Sequence, residues 1–100
     1  MLKISFIDSL SKRRLVLEGK LIAPWADELR AACDSAMADL DHRELVIDLR
    51  NITAISREGE DVLLEFMHEG IKFRSHDVFA KHVLKQLSRK TKPRLQEVKE

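Results

Sequence analysis

Residues 44–49, Glu-Leu-Val-Ile-Asp-Leu, make a short and nearly continuous apolar run, the pattern of a strand covered on both faces in a parallel sheet. A parallel neighbour is reached only through a long crossover, usually a helix, so this segment demands helical patterns on either side of it. Both are present. Upstream, Pro24 suits the first turn of a helix, and Trp25, Leu29, Cys33, Ala36 and Leu40 recur at helical spacing. Asp27, Glu28, Arg30, Asp34 and Asp39 mostly turn away, so an amphipathic helix is expected over about 24–40. Downstream, 51–56 reads as a loop, after which Ser56, Glu58, Glu60 and Asp61 set acceptors and negative charge beside the unpaired N–H groups of a helix start. Val62, Leu63, Phe66 and Met67 form the inner face of that helix, and Gly70 ends it.

The remaining segments extend the same alternation. Residues 3–8 and 13–19 read as strands joined by a short polar stretch, hence a hairpin. Ile71-Lys72-Phe73-Arg74 is a short strand, and Asp77 caps a third helix whose Phe79, Val83, Leu84 and Leu87 form a stripe. Pro93 and the polar residues beyond about Arg89 end it, so a domain over 1–90 and a basic, mobile tail over 91–100 are expected. The order ββαβαβα places the chain in the α/β class: an N-terminal β-hairpin, then alternating strands and helices, with a mostly parallel four-stranded sheet packed with helices. Leu15, Leu17, Leu29, Cys33, Leu45, Ile47, Val62, Phe66 and Leu84 should share one core.

One hundred residues, 44% apolar and 35% charged, suit a single globular domain. Cys33 is the sole cysteine, which excludes an intrachain disulfide and points to a reducing cytoplasm. No apolar run is long enough to span a membrane, and Met1–Ser5 has none of the regions of a signal peptide. Charge is unevenly spread. Residues 81–100 hold seven Lys/Arg against two Glu, while the other eighty hold eleven basic and fifteen acidic side chains.

Little in the sequence speaks for catalysis. His42, His68, His76 and His82 have neither metal-ligand spacing nor cysteine company, and each reads as a solvated or packing residue. Cys33 lies on an inner helical stripe and reads as a small core residue. Gly19, Gly59 and Gly70 are too far apart to cradle a phosphate. Asp48 closes the apolar strand, where catalytic carboxylates often sit, yet has no basic or nucleophilic companion nearby in sequence. The expectation is a non-enzymatic protein with no catalytic, cofactor-binding or metal site.

The most informative stretch is Leu45-Val46-Ile47-Asp48-Leu49-Arg50-Asn51-Ile52-Thr53-Ala54-Ile55-Ser56-Arg57-Glu58-Gly59. It resembles the central signature of the STAS family of anti-sigma factor antagonists: a strand ending in Asp-Leu, a few residues including Thr, then an apolar residue and Asp-Ser-Ser-Gly opening a helix. Arg14 to Leu21 and Glu28-Leu29-Arg30 are similar to the family's second strand and first helix, so the likeness covers about residues 13–70. The resemblance implies a docking module that partners a protein, an anti-sigma factor or serine kinase, in bacterial-style partner switching, with release by phosphorylation of a serine at that helix start. In this chain Ser56 stands at the family's Asp, Arg57 at its first Ser, Glu58 at the phosphorylated Ser and Gly59 at its Gly. A carboxylate therefore occupies the switch position.

Three readings stay open: Glu58 as a mimic of phosphoserine, Ser56 as a displaced acceptor, or a plain helix start. Ser56, Arg57, Glu58 and Gly59 are the candidate regulatory and partner-binding residues. The family also continues into another strand and helix where this chain has its basic end, so the resemblance implies a shortened C-terminal part. The rival reading is a small nucleic-acid-binding module using Lys81, Lys85, Arg89 and Lys90. Phe79, the only aromatic there, is expected inside, which leaves no stacking platform.

Overall fold

In the computed structural model, which describes residues 1–91, the alternating N-terminal segments pair as a hairpin of β1 (Leu2–Asp8) and β2 (Lys12–Leu21). The chain continues through α1 (Trp25–Ala38), β3 (Glu44–Ile55), α2 (Arg57–His68), β4 (Lys72–Ser75) and α3 (Val78–Thr91). The sheet order is β1-β2-β3-β4, antiparallel between β1 and β2 and parallel across the other two pairs. The α/β class, the hairpin and the mostly parallel four-stranded sheet are as expected. Thr91 still belongs to α3, and the remainder of the expected tail, 92–100, lies outside the described residues.

Alternation along the strands sorts the side chains. Leu15 and Leu17 of β2 lie in register with Ile47 and Leu49 of β3, and all four join the single buried cluster that takes Leu29, Cys33 and Ala36 from α1, Val62, Leu63 and Phe66 from α2, and Ala80, Val83 and Leu87 from α3. The helices thus share one face of the sheet. Eight of the nine expected core residues are buried there, and Leu84 packs against the cluster partly buried.

Three expectations are corrected. Residues 51–55 are strand, not loop, because Glu18↔Asn51, Gly19↔Ile52, Lys20↔Ala54 and Leu21↔Ile55 extend the pairing with β2 through two register shifts. Gly19 sits between those shifts at φ +110°, and its carbonyl accepts from the Thr53 hydroxyl at 3.3 Å. Secondly, α3 turns Ala80, Val83 and Leu87 inward and leaves Phe79 42% exposed. Both stripes satisfy a helical period, and the one led by the small Ala80 allows the closer approach. Thirdly, β3 is buried on both faces but helices cover only one. On the other, Val46 and Asp48 are buried beside Val16 of β2.

Arg13 ties the helical layer to the hairpin. Its guanidinium donates to both carboxylate oxygens of Asp8 at 2.9 and 3.1 Å, to the Ala36 carbonyl at 2.9 Å and to Asp39 at 2.6 Å. It also lies over the Phe6 ring, 5.9 Å from its centre. One cation so satisfies the end of α1, an exposed acid beyond it and the end of β1. Hydrogen bonding to Arg13 holds the carboxyls of both Asp8 and Asp39 below their ordinary values.

Two outcomes follow for stability. Phe66→Ala removes a ring only 3% exposed and should cost about 3–5 kcal/mol in chemical denaturation through transfer and cavity effects. Asp8 and Asp39 titrate lower folded than unfolded, so what they contribute is complete above roughly pH 4 and is lost as pH falls through their folded values. Melting temperature measured from pH 7 to pH 2 should therefore drop steeply in the wild type, while Arg13→Met should start lower at pH 7 and fall less.

Candidate functional site

The start of α2 is built by the pairing of the strands before it. Leu21↔Ile55 is the last pair between β2 and β3, and the next amide, Ser56 N–H, donates to the Leu21 carbonyl at 3.0 Å. Ser56 has extended dihedrals, φ −85° and ψ 174°, and its Oγ accepts the Gly59 N–H at 3.2 Å while its carbonyl accepts from Glu60 N–H at 2.9 Å. It is an N-cap. Gly59 is buried because the helix is pressed on the strand end: a Cβ there would overlap the Leu21 carbonyl oxygen and stand 2.9 Å from Leu21 Cγ.

The four candidate residues are therefore neighbours with different exposures. Ser56 is half-buried and Gly59 buried, whereas Arg57 and Glu58 are exposed in the first turn. The Glu58 carboxyl is held below its ordinary value, first by its own backbone N–H, then by the Ser56 hydroxyl, with Arg57 adding less. This end of the fold thus presents a carboxylate that is ionised at neutral pH beside an arginine. The Ser56 oxygen is turned back into the helix.

A second cluster escaped the sequence analysis. Asp48 is 0% exposed, yet lies on the face of β3 without helices, where His76 Nε2 comes within 2.8 Å of Oδ1. Arg14 and Arg50 approach Oδ2 at 3.5 and 3.6 Å. Asp48 therefore does have basic companions, from β2, from two residues along its own strand and from beyond β4, and His76 sits against the Asp48 carboxyl rather than merely in solvent. An acid inside an apolar run was the only local signal of this. His42, His68 and His82 are exposed. Cys33 is buried, which pushes its thiol up to about 11 and leaves it a core residue.

Comparison with solved structures finds a similar fold in an uncharacterized protein of the DUF3478 family with a SpoIIAA-like fold from Shewanella loihica PV-4. The two chains are 15% identical, and the match covers 79% of this chain and 71% of that one with a TM-score of 0.54. No protein-family model matches the chain, and no curated protein does. The fold is SpoIIAA-like, the fold of STAS domains and anti-sigma factor antagonists, in agreement with the resemblance carried by residues 45–59. No helix among the described residues is long and apolar enough to cross a membrane.

The junction itself is testable. At an exposed helical site Gly→Ala stabilises by about 1 kcal/mol, but Gly59→Ala should destabilise by roughly 1–3 kcal/mol because the added methyl meets strand backbone. Ser56→Ala should cost about 1 kcal/mol through loss of the cap. Urea denaturation of both variants checks the signs.

Proposed function

We propose that this protein is a cytoplasmic, non-catalytic docking module of the anti-sigma antagonist type, whose α2 start meets a protein partner, an anti-sigma factor or serine kinase. One observation carries the reading: within a SpoIIAA-like fold, the helix start that bears the resemblance exposes Arg57 and Glu58 while Ser56 spends its oxygen on the Gly59 N–H. Of the three readings left open by the sequence, this favours Glu58 as a fixed charge over Ser56 as a displaced acceptor. A glutamate supplies one negative charge where phosphoserine supplies nearly two, with two oxygens in place of three, so the mimicry is partial. Docking is then constitutively weakened rather than switched.

The nucleic-acid reading gains one specific observation. Phe79 is exposed, on the same helix as the exposed Lys81, Lys85, Arg89 and Lys90, and an aromatic near cations is what single-stranded nucleic acid stacks on. A single ring on one helix is a small platform, so protein docking is the preferred reading.

Capture from the native host, followed by titration and phosphorylation assays on the recovered partner, tests the proposal. Glu58→Ser should bind more tightly than wild type and become a phosphoacceptor for a serine kinase partner, and wild type should take no phosphate at Ser56. Phosphorylation of wild-type Ser56 would overturn the fixed-charge reading in favour of Ser56 as a displaced acceptor, and unchanged affinity in Glu58→Ser and Arg57→Gln alike would remove the α2 start from the interface. Recovery of RNA that dissociates with salt and is lost in Phe79→Ala would establish the rival.

A further inference from the structure

The sheet face opposite the helices carries an unspent set of guanidinium groups. Two rows cross it in register: Ser5, Val16, Asp48 and Arg74 in one, Ile7, Arg14, Val46 and Lys72 in the other. Arg50 is two residues beyond Asp48 on β3 and so faces the same way. Val16 and Val46 are buried as a floor, and Asp48 with them. The Asp48 carboxylate is the sole anion in these two rows, against Arg14, Arg74 and Lys72; Arg50 lies just beyond them, beside the Glu18↔Asn51 pair, and Lys72 has Glu44 at 3.8 Å.

A buried carboxylate is costly unless hydrogen-bonded, and here neither oxygen has a hydrogen bond of good geometry, although two guanidinium groups and the His76 imidazole lie within 4 Å. Arg14 and Arg50 stand too far from it for hydrogen bonds, and among the described residues neither they nor Arg74 donate to any other acceptor. The geometry orients forked donors and leaves them open to solvent. Asp48 acts as a central anchor that keeps Arg14 and Arg50 together without consuming their capacity.

We propose that this face binds an acidic polypeptide segment, with glutamate or aspartate side chains seated on Arg14, Arg50 and Arg74 and with His76 at the border. Three features select that occupant. There is no concave pocket among the described residues, so a small ligand could not be enclosed. The two rows and Arg50 include no aromatic ring, and the His76 imidazole at the border is a single small one, so bases have little on which to stack. Guanidinium forks on three neighbouring strands span about 10 Å, within reach of carboxylates at alternate positions of an extended chain, about 7 Å apart. This surface is distinct from the α2 start and does not depend on it.

The test is an amide chemical-shift titration of the full chain with hexaglutamate peptide at low salt. Shifts should concentrate on residues 14–16, 46–50 and 74–76, and Arg14→Gln or Arg50→Gln should weaken affinity at least about fivefold. Arg50→Lys should weaken it as well, since it keeps the charge and loses the fork, whereas Lys85→Gln should not. Arg50 is exposed, so its variants test the idea even if Arg14→Gln unfolds. The proposal fails if hexaglutamate does not bind, if Arg50→Lys binds as wild type does, or if shifts fall on α3. It also fails if inorganic phosphate or a single-stranded RNA binds this face as tightly as the peptide.

Discussion

The parallel pairing of β2 with β3, from Lys12↔Glu44 to Leu21↔Ile55, is the interaction on which the rest depends. It turns Leu15, Leu17, Ile47 and Leu49 to one side for the helices and leaves Arg14, Val16, Val46 and Asp48 on the other. Its last pair puts the Leu21 carbonyl against both Ser56 N–H and Gly59, so the direction in which α2 departs is set by where the strands stop. A slip of one residue would exchange the two faces and move that junction together.

Covering a sheet on one face alone creates a problem that long cationic side chains address. On the helical side apolar packing suffices, with Arg13 closing the rim where β1, β2 and the end of α1 meet. On the other side, Val16 and Val46 are buried among Arg14, Arg50 and Arg74, and arginine is a side chain that can lay its methylenes on apolar surface and hold its charge outward. Asp48 balances part of that charge. The outcome is an arginine-rich sheet face behind a helical layer in which α1 and α2 are mainly acidic and α3 is basic, an unevenness that net charge alone, +1 for the chain, conceals.

The α2 start shows how packing constrains the residues of one short segment unequally. Gly59 and Ser56 are constrained by the fold, the first by contact with Leu21 and the second by the cap. Arg57 and Glu58 meet no such demand and are exposed. Sequence change at those two positions can therefore alter the exposed surface of the helix start at little cost to the fold.

What the sequence by itself determined was local: the apolar run at 45–49, the helical period of Leu29, Cys33 and Ala36, the capping chemistry of Ser56, and the element order that makes the sheet mostly parallel. These depend on period and on short-range hydrogen bonding, and both are legible in neighbouring residues. Only the tertiary structure decided that 51–55 continue β3, since Arg50, Asn51 and Thr53 are polar and their strand conformation rests on β2, more than thirty residues away. It also chose Ala80 over Phe79 for the inner face of α3, because two stripes shared one period and the approach of the sheet broke the tie. Above all it brought Arg14, Arg50, Arg74 and His76 around Asp48, from three strands and a loop. Charges so far apart in the chain become neighbours only through strand register, and register is a property of the folded sheet.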